Sequence, residues 1–195
     1  MPTGVAIRDP RGQLFAAAER VLLRDGPAAL TSRAVTDEAG VAKGVLHRHF
    51  ADFDDFLAAL ALDRIAGVNR QADALRAAAG TGTVAGNLAA ALPGLFTPPL
   101  LALSRLVFAR DGLRARLRAA TGSRLPLMAE CVTAAAGYLE AERAAGRVDP
   151  AADLTVIAPM LVSAVHLLFT DADAAPPQAV VTRTVAAALA GAAPR

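Results

Sequence analysis

Residues 30–60 read LTSRAVTDEAGVAKGVLHRHFADFDDFLAAL, and this stretch decides the fold. Thr31 or Ser32 can cap a short helix that turns Val35 and Ala39 inward and Asp37 and Glu38 outward. Gly40 ends it, and only Gly40, Val41 and Ala42 separate it from a second short helix over residues 43–50. Leu46 and Phe50 fall on the inner side of that helix. Lys43, Gly44, Val45, His47 and Arg48 are left outward. Two short helices joined by a three-residue turn with glycine form a helix-turn-helix. In such a unit the first helix braces on the phosphate backbone and the second enters the major groove.

Upstream, Asp9 and Pro10 read as an N-cap followed by proline at the first helical position. Leu14, Phe15, Ala18, Val21 and Leu22 then make one apolar helical face, and Gly26-Pro27 stops the helix. That face can receive Val35, Ala39, Val41, Leu46 and Phe50. Downstream, Asp52, Asp54 and Asp55 open a long helix to near residue 79, where carboxylates suit the positive helix end.

The remainder alternates apolar helical stretches with breakers. A loop is expected at 80–86, a short helix to about 92, and turns at Pro93-Gly94 and Pro98-Pro99. A helix from about 100 to 111–112 continues in a second piece to about 120. After Thr121-Gly122-Ser123, a long helix with Pro126 in its first turn is expected to reach Gly146. Asp149-Pro150 repeats the cap signature before a helix over 151–170, and the last helix spans 178–192 after a loop over 171–177.

The string over residues 30–60, preceded by RGQLFAAAERVLLRDG, closely resembles the N-terminal DNA-binding signature of tetracycline-repressor (TetR) family regulators. The resemblance covers residues 11–60; beyond it only the helical layout and the phrase GRVDPAAD at 146–153 are similar. It implies an all-α fold of about nine helices. A three-helix DNA-binding domain over 8–52 would precede a ligand-binding and dimerisation domain over 53–195. It also implies a homodimer on a palindromic, double-stranded operator, most often a repressor released by a small apolar effector. By position, Thr31 and Arg33 would touch phosphates, and Lys43, Gly44, Val45 and Arg48 would face bases or nearby backbone. His47 stands where the family usually has a phosphate-contacting tyrosine. Two further positions depart from the pattern: Ala42 replaces a capping serine, and Phe53 replaces a common phosphate-binding lysine.

Composition agrees with a helical chain. Of 195 residues 54% are apolar and only 4% aromatic, so Ala, Leu and Val carry the apolar share. The net charge is +2. Residues 1–51 hold seven basic and five acidic residues, a modest N-terminal excess that suits a polyanion. Arginine outnumbers lysine 19 to 1, which reads as coding bias of a GC-rich bacterial genome. The single cysteine, Cys131, cannot pair internally and points to a reducing compartment. The segment MPTGVAIRDP lacks a signal peptide's apolar core, and the longest apolar run, over 156–169, has 14 residues where a span needs about 20. A cytoplasmic protein without membrane association is expected.

Several other motifs have plain readings. His47 and His49 lie on different helix faces, which argues against a metal pair. GTGTVAG at 80–86 follows a helix and lacks the βαβ setting of a dinucleotide loop. Arg105, Arg110, Arg114, Arg116, Arg118 and Arg124 share a run with one acid, Asp111; it is a solvated face or a second contact to nucleic acid or an anionic ligand. Phe96, Phe108, Met128, Cys131, Tyr138 and His166 are the candidate ligand-binding residues, with Asn87 beside them, although a helical core explains most of them equally well. Cys131 reads first as a small buried apolar residue, and His166 first as a core or dimer-interface group. No nucleophile–base pair, metal spacing or cofactor loop supports an enzyme, and no cofactor is expected. The rival reading is a helical small-molecule or partner-binding protein with a weakened DNA-binding head. The helix at 151–170 is apolar nearly all round, and the last helix carries a face of small residues, which points to a homodimer through these two helices.

Overall fold

The computed structural model describes residues 9–170 and 174–192. Among them are ten α-helices, one 3-10 turn and no strand. The resemblance implies about nine; the break expected near 111–112 falls at Arg110, whose backbone is extended, and separates two of the ten.

The chain forms two compact units. The first comprises the described residues of Met1–Leu62 together with Ala102–Arg124. This grouping follows packing, whereas the expected division at residue 53 rests on the sequence resemblance alone. The first unit holds α1 (Pro10–Asp25), a 3-10 turn (Pro27–Ala29), α2 (Ser32–Glu38) and α3 (Gly44–His49). It also holds the start of α4 (Phe53–Ala77), most of α6 (Pro98–Ala109) and all of α7 (Asp111–Thr121). Asp9 caps α1 by accepting from the Gly12 amide at 2.9 Å, and Pro10 needs no partner there. Leu14, Phe15, Ala18, Val21 and Leu22 are buried, as their spacing requires. Val35, Leu46 and Phe50 are buried with them, while Ala39 and Val41 are half-buried. The Phe15, Phe50 and Phe56 rings meet at 5.1–6.1 Å between centroids, with Phe50 edge-on to Phe56.

The second unit comprises the described residues of Asp63–Leu101 and Leu125–Arg195. It contains the rest of α4, α5 (Val84–Leu95), α8 (Met128–Ala144), α9 (Leu154–Thr170) and α10 (Gln178–Ala188). Several boundaries differ from the sequence reading, each for a physical reason. Pro93-Gly94 is no turn: Pro93 lies inside α5. A proline leaves the carbonyl four residues earlier without its donor. That carbonyl, Ala89, accepts instead from Gln178 Nε2 at 2.9 Å. Pro98-Pro99 opens α6, whose first turn needs no proline N–H. α8 begins only at Met128, because Leu127 has a φ of 75° and interrupts the helical path, so Pro126 stands outside. α9 begins at Leu154 because Asp153, not Asp149, caps it: Asp153 Oδ1 accepts from the Thr155 amide at 3.0 Å. Asp149 closes its own turn on the Ala151 amide at 2.8 Å. The last helix stops at Ala188, and the Ala192 carbonyl accepts from the Asp149 amide at 2.9 Å. Of the expected loop over 171–177, residues 171–173 lie outside the described residues.

Phe56→Ala removes a fully buried ring that Phe15, Phe50 and Phe53 all touch. Its expected cost is about 3–5 kcal/mol in urea denaturation. A loss under about 1 kcal/mol would contradict this account of the core.

Candidate nucleic-acid interface

The interface is built from α2 and α3. Thr31 caps α2 through the Ala34 amide at 3.1 Å. Gly40, at φ 66°, ends α2 in a left-handed residue that a side chain would strain. The Gly40 and Val41 amides then donate to Asp37 and Thr36 at 3.1 and 3.0 Å, the double bond of a Schellman motif. This geometry fixes the angle at which the chain enters α3. With Ala42 in place of a hydroxyl residue, α3 has no side-chain cap. Its core anchors are Leu46 and the residue that ends it, Phe50.

Lys43, Gly44, His47, Arg48 and His49 are exposed on α3, and Val45 is half-buried. Among the described residues Lys43, His47 and Arg48 carry no ion pair. The other cations of this segment are engaged. Arg20 and Arg24 both donate to Glu38, at 2.7 and 2.8 Å, and tie α1 to α2. These two guanidiniums hold the Glu38 carboxyl below its ordinary range. Arg33 lies 3.4 Å from Asp37. The Arg11 guanidinium sits 4.9 Å from the Phe50 ring centroid.

The first turn of α4 follows directly. Asp52 caps it by accepting from the Asp55 amide at 2.7 Å, and Asp55 accepts from the Ala51 amide at 3.0 Å. Phe53 stacks on Phe56, with the Arg110 guanidinium 6.0 Å from its centroid. Arg110 donates to Asp54 Oδ1 through Nε at 3.1 Å and through Nη2. Arg116 grips both carboxylate oxygens of Asp52, Oδ2 at 2.7 Å. The helices approach closely at Gly112, where a Cβ would lie 3.1 Å from Asp54 Oδ2. Arg116, then the Asp55 amide, hold the Asp52 carboxyl far below its ordinary range, so it stays charged at every working pH.

The candidate ligand residues are scattered. Phe108 is 46% exposed on α6, in the first unit, and the other five belong to the second. Phe96 is buried against His166 and Phe169, with centroids at 5.5 and 5.8 Å. Met128 is half-buried at the start of α8, and Cys131 is buried one turn on. A cavity of about 450 Å³ lies elsewhere in the second unit, lined by Gln71, Ala74, Leu75 and Ala78 of α4 and the following turn, and by Asn87, Ala90, Ala91 and Gly94 of α5. None of the six candidates lines it, though Asn87 does. Alanines give no sequence signal for a pocket.

Tyr138 belongs to a network the sequence did not reveal, centred on the fully buried Glu142. The Tyr138 hydroxyl donates to Glu142 Oε1 and accepts from Asn87 Nδ2 at 2.9 Å. Glu142 Oε2 receives the Gly80 amide at 3.1 Å and Arg147 Nε at 3.2 Å. Arg147 Nη2 also donates to the Thr81 and Gly82 carbonyls, and Asn87 Nδ2 to Thr81 O at 2.9 Å. Residues 80–83 are thus a structural turn held by side chains, but the loop expected over 80–86 ends early: Val84 already opens α5, which Thr83 caps through the Gly86 amide at 3.0 Å. Burial, then the bond to Glu142, pushes the Tyr138 phenol above its ordinary value.

Residues 14–60 match the family model described as "Bacterial regulatory proteins, tetR family". The match spans α1 to the start of α4 and marks that stretch as a tetR-type DNA-binding segment. Over these residues the chain carries the DNA-binding segment of a bacterial transcriptional regulator. Solved tetR-type structures share its fold over nearly the whole length. A TetR-family transcriptional regulator from Agrobacterium tumefaciens is 14% identical, covers 95% of this chain and 98% of its own, and has a TM-score of 0.70. SmeT, the repressor of the Stenotrophomonas maltophilia multidrug efflux pump SmeDEF, is 16% identical, with 94% and 90% covered and a TM-score of 0.68. The transcriptional regulator FadR from Bacillus subtilis, solved with stearoyl-CoA, is 16% identical, with 92% and 98% covered and a TM-score of 0.71. No curated protein matches the sequence. Among the described residues no single helix is long and apolar enough to cross a membrane.

Burial, then the charge of Glu130, pushes the Cys131 thiol up to about 12. At pH 8 the thiol should therefore stay protonated and out of reach, and react with a thiol reagent only as urea opens the fold. From about pH 9 to 12 the unfolded chain releases this proton and the folded chain does not, so Cys131 should lower stability as pH rises through that window. Labelling of the native protein at the rate of a free thiol would show that the site is open.

Proposed function

We propose that the chain works as a homodimer that represses transcription from a palindromic operator and is released by a small apolar ligand. The observation that carries the reading is α3 itself, which presents Lys43, His47 and Arg48 outward on a helix anchored by Leu46 and Phe50. Thr31 and Arg33 would meet phosphates at the start of α2, and His47 a phosphate beside α3. Lys43, Gly44, Val45 and Arg48 would face bases, Arg48 toward guanine and Val45 toward a thymine methyl. Ala42 and Phe53 remove two expected backbone contacts, so the affinity would depend more on the remaining cations.

Dimerisation through the last two helices is supported by a row of exposed side chains on α9. Val156, Met160, Ser163 and Leu167 recur at helical spacing, with Met160 57% and Leu167 63% exposed. Two-fold pairing would set the two α3 helices about 34–36 Å apart for adjacent major grooves, or wider on a longer operator. An apolar effector suits the α4–α5 cavity, whose alanines, Leu75 and Gly94 are joined by the carboxamides of Gln71 and Asn87. The neighbours FadR, solved with stearoyl-CoA, and the multidrug-binding protein EbrR, solved with imidazole, are consistent with effector binding in this fold. A cytoplasmic location follows from the work proposed.

Two outcomes test the reading on fragments from upstream of the protein's own gene. Arg48→Ala should relax sequence preference by about 1–3 kcal/mol at one position. Arg33→Ala should instead weaken every fragment alike and reduce the salt slope by about one. Negligible change in both would contradict the assigned reading face. Separately, Leu167→Asp should convert the protein to monomers in analytical ultracentrifugation and weaken operator binding strongly. A dimer that persists unchanged would move the interface off α9.

A further inference from the structure

The DNA-reading unit joins two stretches of opposite charge. Residues 9–62 hold six basic and eight acidic residues, and three of the acids, Asp52, Asp54 and Asp55, follow α3 directly. The stretch Ala102–Arg124 holds six arginines and one acid, Asp111. Within residues 9–62, Arg20 and Arg24 are bound by Glu38, and Arg33 lies beside Asp37. A duplex carries one negative charge per about 1.7 Å of axis. Three carboxylates beginning three residues after His49 would therefore repel it where α3 must approach most closely.

α7 meets that charge. Arg116 takes both oxygens of Asp52, and Arg110 takes Asp54. Asp52 and Arg116 keep 52% and 43% of their side-chain surface exposed, so the pair lies at the surface, where an ion pair adds little to folding stability. What it changes there is the local field. We propose that Arg116, supported by Arg110, is a positioning residue of the DNA interface: it cancels the carboxylates behind the recognition helix so that the start of α4 can lie beside a phosphate backbone. The inference rests on the DNA-binding reading and extends the interface to a segment some 60 residues away in sequence, outside the family signature.

The sign of a single substitution separates this role from a mechanical clamp. Asp52→Asn keeps the cap on the Asp55 amide, because asparagine caps as well as aspartate. It frees the Arg116 charge. Binding would be measured by anisotropy from 50 to 300 mM salt, on an upstream fragment and on an unrelated 30-base-pair duplex. Asp52→Asn should tighten binding several-fold on both duplexes and steepen the salt dependence. Arg116→Gln should weaken it several-fold at low salt, with the gap closing as salt rises. The double variant should return to within about twofold of the parent. A clamp predicts the reverse, with Asp52→Asn weakening binding and the double variant unrescued, and that result overturns the proposal. So does an Arg116→Gln protein indistinguishable from the parent while Lys43→Gln with Arg48→Gln abolishes binding, which leaves the DNA-binding reading intact. A parent protein that binds neither duplex refutes that reading and this inference together. If Arg116→Gln fails to fold, the direction of the Asp52→Asn change decides alone.

Discussion

The placement of α3 depends on one ring. Phe50 ends α3, and the same side chain packs on Phe15 of α1 and edge-on to Phe56 of α4. A six-residue helix cannot hold itself together in water, where helices shorter than about 12 residues are marginal. Here α3 has no side-chain cap either. Its stability comes from burial at its two inner positions, Leu46 and Phe50. Gly40 and the Schellman bonds set the angle of entry, and Phe50 sets the angle of exit. Together they leave α3 little freedom other than to present its outer residues.

Charge in this unit follows a division of labour. Glu38 gathers Arg20 and Arg24 and joins α1 to α2, while Arg110 and Arg116 answer Asp54 and Asp52 at the start of α4. Among the described residues of the head, the cations left without a carboxylate, Arg11, Lys43 and Arg48, are those placed at its start and at α3. Counting basic residues in the head would have overstated the field a duplex meets. Pairing, not number, decides which charges remain available.

The helix-turn-helix was legible because each of its features has a local cause. A cap at Thr31, a positive-φ glycine at 40 and apolar residues at helical spacing all leave their mark in consecutive residues. Where the reading failed, the cause left no such mark in neighbouring residues. Pro93 breaks helices in isolation, but Gln178, 85 residues later, supplies the donor that its carbonyl partner lost. Leu127 takes a backbone conformation that no leucine announces. Between Asp149 and Asp153 the spacing alone could not choose the cap, since both carboxylates close a turn. The candidate ligand residues were chosen for size and polarity, and these criteria select core residues such as Phe96 and Tyr138. A cavity lined by alanines is defined by what is missing, and composition does not record that.

Glu142 shows the same limit from the energetic side. A buried carboxylate is costly unless donors surround it. Here the Tyr138 hydroxyl, the Gly80 amide and the Arg147 guanidinium converge on it from three separate places in the sequence. Removing any one donor leaves a buried charge short of partners, so the network favours a single arrangement of the α4–α5 turn over alternatives that would leave Glu142 dry. That turn borders the cavity through Ala78, and Asn87 belongs to both. The wall of the cavity is therefore set by a satisfied polar network and not by apolar packing alone. An occupant would find the Asn87 amide nitrogen already committed, and would meet a rigid boundary at that end.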